Sequence, residues 1–315
     1  MALFLVTGGA GFIGSNIVEA IVARGDRVRV LDDFSTGSRK NLEPFRGRIE
    51  LLEGSVTDLA TARRSVDGVD FVLHQAALPS VPKSVALPIE TNSVNVSGTV
   101  NMLVAARDAG VRRFVYAASS SAYGDTPTLP KVESMESKPL SPYAIQKLAG
   151  ELYCRVFFQT FGLETVSLRY FNIFGPRQDP TSFYSAVIPK FISAIQSGTP
   201  PTIHGDGKQS RDFTYIDNVV AANLAACEAD RACAGEVMNV ACGERIDLLD
   251  LVREINAVLG TNVVPTHDPE RVGDVKHSLA DIERAKRLIG YSPKVLFAEG
   301  IRRTITWYGS NKGFW

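Results

Sequence analysis

The chain has 315 residues, 45% of them apolar, and its 34 Lys plus Arg balance 34 Asp plus Glu for a formal net charge of zero. Such a length is about two domains' worth at roughly 150 residues each and carries enough apolar side chain for a sizeable core, which excludes a disordered chain. With no basic excess there is no face for a phosphate backbone, so nucleic acid is not an expected partner. In chain order, short β-branched runs alternate with amphipathic helical stretches, the pattern of a parallel sheet covered on both faces. Strands are expected at Leu3–Thr7, Arg27–Leu31, Ile49–Glu53, Val69–Gln75, Phe114–Ser119 and Thr165–Tyr170. The helical patterns between them run about Phe12–Arg24, Leu59–Ser65, Thr91–Ala109 and Pro142–Phe161, the last with Ser141 as N-cap and Pro142 as first residue. After Tyr170 the rhythm breaks: Gly175, Pro176, Pro180, Pro189, Gly198, Pro200, Pro201, Gly205 and Gly207 imply short elements in that stretch. A further strand, Val237–Ala241, is expected to return to the main sheet, followed by helices at Leu248–Leu259, Leu279–Ile289 and Phe297–Tyr308. The expected fold class is α/β, a doubly wound parallel sheet with a smaller, interleaved α/β lobe, divided near 1–171 and 172–315.

Thr7-Gly8-Gly9-Ala10-Gly11-Phe12-Ile13-Gly14 follows the first strand and opens the first helix, the context that a Rossmann dinucleotide fingerprint requires. Glycines permit the tight turn and the close approach of backbone to a pyrophosphate, and the helix N-terminus offers unpaired N–H groups to it. Asp32 ends the second strand 18 residues after Gly14, where a carboxylate can accept both ribose hydroxyls and repel a 2′-phosphate. With no Arg adjacent to it, NAD is the expected cofactor rather than NADP. A turn that merely joins strand to helix does not explain that acid.

Tyr143 and Lys147 lie one helical turn apart and project from the same face. An ammonium close to a phenol lowers its pKa from about 10 toward neutrality, which makes Tyr143 a candidate general base. The pair also occurs by chance in many helices. Ser119-Ser120-Ser121 sits at the carboxyl end of a strand, where ligands bind in open α/β sheets, and reads either as a catalytic hydroxyl or as a polar turn.

Taken together, Thr7-Gly8-x-x-Gly11-x-x-Gly14, the Ser119 cluster before Tyr123-Gly124, Tyr143-x-x-x-Lys147 and Arg169-Tyr170-Phe171-Asn172 resemble the extended short-chain dehydrogenase/reductases, more closely the nucleotide-sugar 4-epimerases. The resemblance spans nearly the whole chain. Within that family, Asp32-Asp33-Phe34-Ser35-Thr36-Gly37, His74-Gln75-Ala76-Ala77, Arg177-Gln178-Asp179-Pro180 and the segment from Gly273 to Asp281 are most similar to the branch acting on UDP-N-acetylglucosamine and UDP-N-acetylgalactosamine or their uronic acids. The resemblance implies that Gly8, Gly11, Phe12, Ile13 and Gly14 cradle the pyrophosphate and that Asp32 to Gly37 meet the adenosine ribose and its phosphate. It places Val56, Gln75, Ala76, Ala77 and Tyr170 beside the cofactor, with Tyr143 and Lys147. It makes Ser119 the catalytic hydroxyl, Tyr143 the base and Lys147 its modulator. Ser119, Ser120, Ser121, Tyr143, Asn172, Arg211, Arg271, Asp274 and Ser278 are the implied contacts to a UDP-sugar, the arginines by charge-assisted bonds to phosphate oxygens.

The chain departs from the family pattern in three places: Ser55-Val56 stand where many relatives carry an Asp for the adenine, Pro79 replaces a frequent Gly, and Ser278 stands where many UDP-galactose 4-epimerases carry Tyr. A small residue at 278 goes with tolerance of an N-acetyl group. The expected reaction is epimerisation at C4 of UDP-N-acetylglucosamine, UDP-N-acetylgalactosamine and their plain hexose counterparts. Alternatives are a 4,6-dehydratase or a uronate-acting epimerase or decarboxylase on the same scaffold, and a non-enzymatic NAD-sensing regulator. A homodimer built from the helices at Thr91–Ala109 and Pro142–Phe161 is implied, although within one chain those faces could equally be covered. Cys154, Cys227, Cys233 and Cys242 lack Cys-x-x-Cys spacing and read as reduced thiols, so no metal site is expected. No run approaches roughly 18 apolar residues and no basic leader precedes Thr7, so no membrane contact and a cytoplasmic location are expected. The sequon Asn95-Val96-Ser97 reads as chance.

Overall fold

The computed structural model describes residues 1–180, 187–270, 276–311 and 314. Its strands are β1 (Leu3–Thr7), β2 (Arg27–Asp32), β3 (Glu50–Glu53), β4 (Phe71–His74), β5 (Arg113–Ser119), β6 (Thr165–Tyr170), β7 (Ile173–Phe174), β8 (Thr202–His204), β9 (Ser210–Arg211), β10 (Thr214–Tyr215), β11 (Val237–Val240), β12 (Ile246–Asp247) and β13 (Thr266–Asp268). Seven of them form one parallel sheet in the order β11-β6-β5-β4-β1-β2-β3. β1, β4 and β6 are buried along their whole length, because helices cover both faces and leave no polar side to the pleat. The remaining pairs, β7 with β10, β8 with β13 and β9 with β12, are two or three residues long.

The helices are α1 (Phe12–Ala23), α2 (Leu59–Ser65), α3 (Val81–Ala86), α4 (Pro88–Asn92), α5 (Thr99–Asp108), α6 (Pro142–Phe161), α7 (Val187–Gln196), α8 (Ile216–Glu228), α9 (Leu248–Leu259), α10 (Glu283–Ile289) and α11 (Phe297–Ser310). Ile17 and Ile21 of α1 pack with Val219 and Ala222 of α8, Ile195 of α7 and Ile255 of α9 on one face of the sheet. Met102 and Leu103 of α5, with Cys154 and Phe157 of α6, fill the other. This is the doubly wound Rossmann architecture. No helix of the described residues is long and apolar enough to cross a membrane.

Several boundaries differ from those expected. The helix expected at Thr91 starts at Pro88, where a proline suits the first turn, and runs through a π-helical turn, Ser93–Gly98, before α5. The Pro- and Gly-punctuated stretch holds α7, ten described residues with Pro189 near its start, and α8 follows soon after with thirteen. The helix expected from Leu279 starts only at Glu283, because Leu279–Asp281 instead pairs with Lys131: Lys131 N–H donates to Leu279 C=O (2.7 Å) and Asp281 N–H to Lys131 C=O (2.9 Å).

The chain runs outward from β1 through β2 to β3, then returns to β4 on the other side of β1 and continues to β5 and β6. At such a reversal the connections leave in opposite directions and open a crevice beyond the strand ends. A cavity of about 990 Å³ lies there, lined from the ends of β1, β2, β4, β5 and β6 and by residues that follow β6.

Candidate active site

At the end of β1 the backbone turns back through Gly8, whose φ of +67° is left-handed and whose Cβ, if present, would stand 2.8 Å from the Ala76 backbone. A Cβ on Gly14 would stand 2.2 Å from the Gly8 carbonyl oxygen. Both positions therefore require glycine, and α1 is brought against the loop with Gly11 as an N-cap that has no side chain to occupy the first N–H groups. Gly8, Gly11, Phe12, Ile13 and Gly14 line the cavity. An open helix N-terminus facing a cavity is the arrangement that holds a pyrophosphate.

Asp32 braces this cradle from the second strand. Its Oδ2 accepts from Ala10 N–H and its Oδ1 from Phe34 N–H, each at 2.8 Å, and burial pushes its carboxyl above the usual range against those two bonds. Each oxygen keeps a lone pair for a ribose hydroxyl. Asp33, Ser35 and Thr36 also line the cavity. Phe34 and Gly37 do not: Phe34, at φ 56°, lies under the Arg39 guanidinium at 4.0 Å, and Arg39 pairs with Glu53. Val56 lines the wall. Ser55 Oγ accepts from the Thr57 hydroxyl at 3.0 Å.

Deeper in, Gln75, Ala76, Ala77 and Tyr170 line the cavity. Gln75 and Tyr170 are held by Asn223 of α8 in a closed ring: Asn223 amide donates to the Tyr170 oxygen (2.8 Å), Tyr170 O–H to Gln75 Oε1 (3.2 Å), and Gln75 amide to Asn223 Oδ1 (3.1 Å). Below them His74 bridges Thr7 (2.8 Å) and Thr99 (3.0 Å), and burial drives its pKa down to about 3, so it is a neutral strut.

Ser119, Tyr143 and Lys147 come together at the end of β5. Ser119 Oγ accepts from Ser121 N–H (3.2 Å) and Ser121 O–H (2.9 Å), which leaves its own proton to be donated, and it lines the same cavity as Tyr143. Lys147 Nζ donates to the Ala117 carbonyl at 2.8 Å and lies 5.1 Å from the Tyr116 ring centre. Burial pushes this amine down to about 8. Burial raises the Tyr143 phenol above its usual range, opposed by the Ser119 side chain, and the Lys147 ammonium is engaged on a main-chain carbonyl.

Residues beyond β6 supply a further wall. Asn172, at φ 35°, donates to Asp212 C=O (3.1 Å) and to Ser278 Oγ (3.2 Å), and Ser278 Oγ also accepts from Asp212 N–H (3.3 Å). Arg211 lines the cavity with Asn172 and Ser278, and its Nη1 donates to Ser210 C=O (3.0 Å) and Lys276 C=O (3.1 Å). Arg271 and Asp274 lie outside the described residues. Ser120 and Ser121 face the same space.

Two residues of this wall were not singled out by sequence reasoning. Asp212, wholly buried, accepts from Cys242 N–H (2.9 Å), Gly243 N–H (3.0 Å) and Ala280 N–H (3.1 Å), and burial pushes it up to about 6. Lys131 lines the cavity almost fully buried, with its ammonium on the Thr126 carbonyl and hydroxyl. Neither has a local sequence signal, because their partners are brought in by the fold.

Residues 4–241 match the NAD dependent epimerase/dehydratase family. The chain belongs to that family. A UDP-glucose 4-epimerase of Mycolicibacterium smegmatis is 36% identical, over 96% of this chain and 97% of that protein. Among solved structures, UDP-N-acetylglucosamine 4-epimerase of Methanobrevibacter ruminantium, in complex with UDP-N-acetylmuramic acid, superposes with a TM-score of 0.94 at 40% identity, covering 98% of this chain and 99% of that one. A Thermus thermophilus UDP-glucose 4-epimerase in complex with NAD gives 0.88 at 35%, over 98% and 99%. For a member of this NAD-dependent family, the glycine cradle and Asp32 fit the cofactor. Among the described residues no group of His, Cys, Asp and Glu could hold a metal ion.

Proposed function

We propose that the protein interconverts UDP-hexoses at C4, with UDP-N-acetylglucosamine and UDP-N-acetylgalactosamine as one pair and UDP-glucose and UDP-galactose as another. The observation that carries this reading is the single cavity that Ser119, Tyr143 and Lys147 share with the glycine cradle and the wall built by Asn172 and Ser278. NAD, when bound, supplies a hydride acceptor that ends the cycle unchanged, so net redox change is zero. Tyr143 takes the proton of the sugar 4-hydroxyl and later returns it, and Ser119 donates to the phenol oxygen as its charge develops. Lys147 fixes α6 against β5 and keeps a cation near that centre. Arg211 is assigned to the UDP phosphates. In this reading 1–171 carry the cofactor and 172–315 mainly the substrate.

A 4,6-dehydratase needs a carboxylic acid beside the catalytic hydroxyl, and Ser120 and Ser121 stand there instead. A second copy of the chain is the proposed protein partner. Ile145, Leu152, Tyr153 and Val156 are exposed along one face of α6, beside exposed Val85, Leu87 and Ile89 of α3 to α4. Met102, Leu103, Ala105 and Ala106 of α5 are buried in the fold while Val100 and Val104 stay partly exposed, so the dimer face is assigned to α6 and the α3 to α4 segment, with that side of α5 beside them.

The test is a panel of the four UDP-sugars with product separation. Turnover of both pairs is expected. Ser278→Tyr adds a ring to a packed wall, which costs on the order of 1–3 kcal/mol, so it should lower kcat/KM for the N-acetylated pair about tenfold or more relative to the plain pair. Ser278→Ala removes the hydroxyl without adding bulk and should keep that ratio. Failure of the wild type on all four sugars would overturn the reading. Because the cofactor is regenerated, turnover is expected with no added NAD or with substoichiometric amounts. Stoichiometric accumulation of NADH would identify a net dehydrogenase instead.

A further inference from the structure

The first four positions of α6 account for every backbone donor that a helix start leaves open. Pro142 has no N–H, Ala144 N–H goes to the Ser141 hydroxyl (3.2 Å), and Ile145 N–H goes to the Ser141 carbonyl (3.1 Å). The remaining donor is the N–H of Tyr143 itself. It is taken from outside the helix by the hydroxyl of Ser84, 3.0 Å away and 59 residues earlier in the chain.

Ser84 is completely buried on α3, and its hydroxyl proton goes to the Val81 carbonyl at 2.7 Å. Val81, with Pro79 and Pro82 beside it, lines the cavity. One oxygen thus joins the peptide of a cavity-lining residue to the peptide of Tyr143. Neither bond is replaceable by solvent at a site with no exposure.

We propose that Ser84 is a positioning residue: its hydroxyl ties the placement of Tyr143 to the main chain of cavity-lining Val81, so that this residue of the wall and the base move as one unit. This rests on the reading of Tyr143 as the base. Ser84 touches neither the phenol nor the cavity, and it acts through the main chain of Tyr143.

The experiment compares Ser84→Ala and Ser80→Ala with wild type on whichever UDP-sugar pair the wild type turns over, together with bound NAD and thermal midpoint. Ser80 is the N-cap of the same helix, its hydroxyl accepting from Lys83 N–H at 3.0 Å, and it has no bond to α6. Ser84→Ala is expected to lower kcat about tenfold with KM changed less than about twofold and NAD content unchanged, since misplacement of a reacting group acts on the chemical step. Ser80→Ala loosens α3 to a similar degree and is expected to keep kcat within about twofold of wild type. If Ser84→Ala does not fold, Ser84→Cys keeps the volume, weakens the hydrogen bond and carries the same expectation. A native kcat in the folded Ser84 variant, or an equal loss in Ser80→Ala, would overturn the proposal. A wild type inactive on every sugar would instead overturn the underlying reading of Tyr143.

Discussion

Tyr143→Phe is expected to lower kcat by about a hundredfold or more while the protein keeps its bound NAD. The substitution deletes one oxygen, the phenol oxygen that lines the cavity with Ser119, and leaves the backbone bond to Ser84 and the cradle around Gly8 and Gly14 untouched. Loss of turnover with full cofactor content is therefore the signature of a lost proton acceptor rather than of a lost site. The pH profile gives a second check. Burial holds the phenol above its usual range, so in wild type the rate should climb with pH as the phenolate fraction grows, and that limb should vanish in the Phe variant. Near-native turnover by Tyr143→Phe would remove Tyr143 from the mechanism.

Gly14→Ala should abolish cofactor retention. The new methyl would stand 2.2 Å from the Gly8 oxygen and 2.7 Å from Gly9 Cα, both backbone atoms of the loop that must stay in place to hold a pyrophosphate. Relief can come only from lifting α1 off the loop, at a cost on the order of 1–3 kcal/mol in stability, and with the helix goes its N-terminus. Gly309→Ala in α11 makes the same chemical change with nothing within 4 Å, and it should leave both NAD content and thermal midpoint near wild type. Equal NAD content in Gly14→Ala and wild type would show that the cradle does not bind it.

The parts of this arrangement that were legible in the sequence are those whose cause is local. β1 is a five-residue apolar run ending in a glycine turn, and α6 announces its start with Ser141 as cap and Pro142 in the first turn. Tyr143 and Lys147 share a face by helical period alone. What was not legible depends on contacts between distant segments. Leu279–Asp281 has a helical pattern, yet it lies extended because Lys131 offers it a main-chain partner. α8 sits just beyond a stretch dense in Pro and Gly, and with it went Asn223, whose ring of bonds to Gln75 and Tyr170 spans up to 148 residues. Asp212 was passed over beside Arg211, since nothing in a single acid shows that three N–H groups from two other segments will converge on it. The Lys147–Ala117 bond was hidden for the same reason: a carbonyl is invisible in a sequence, and here one carbonyl takes the ammonium that periodicity alone would aim at the phenol.

The segment that follows β6, residues 172–177, is anchored at both ends. Asn172 is held left-handed by its bonds to Asp212 and Ser278. Arg177, left-handed at φ 68°, grips α1 through Asn16 (3.3 Å) and Glu19 (2.7 Å), while Asn16 reaches back to the Pro176 carbonyl at 3.1 Å. Non-glycine residues in such a conformation carry strain of roughly 1–3 kcal/mol each, which persists only where neighbours over-determine it. A crossing fastened this way makes a poor hinge. For a reaction in which a flattened sugar must present first one side and then the other to the same hydride carrier, the turning therefore falls to the small molecule. Under the proposed function, the enclosure would be a fixed chamber in which the guest tumbles about its own tether, and the set of sugars able to react would be bounded by the swept volume of that tumble rather than by the fit of either resting pose.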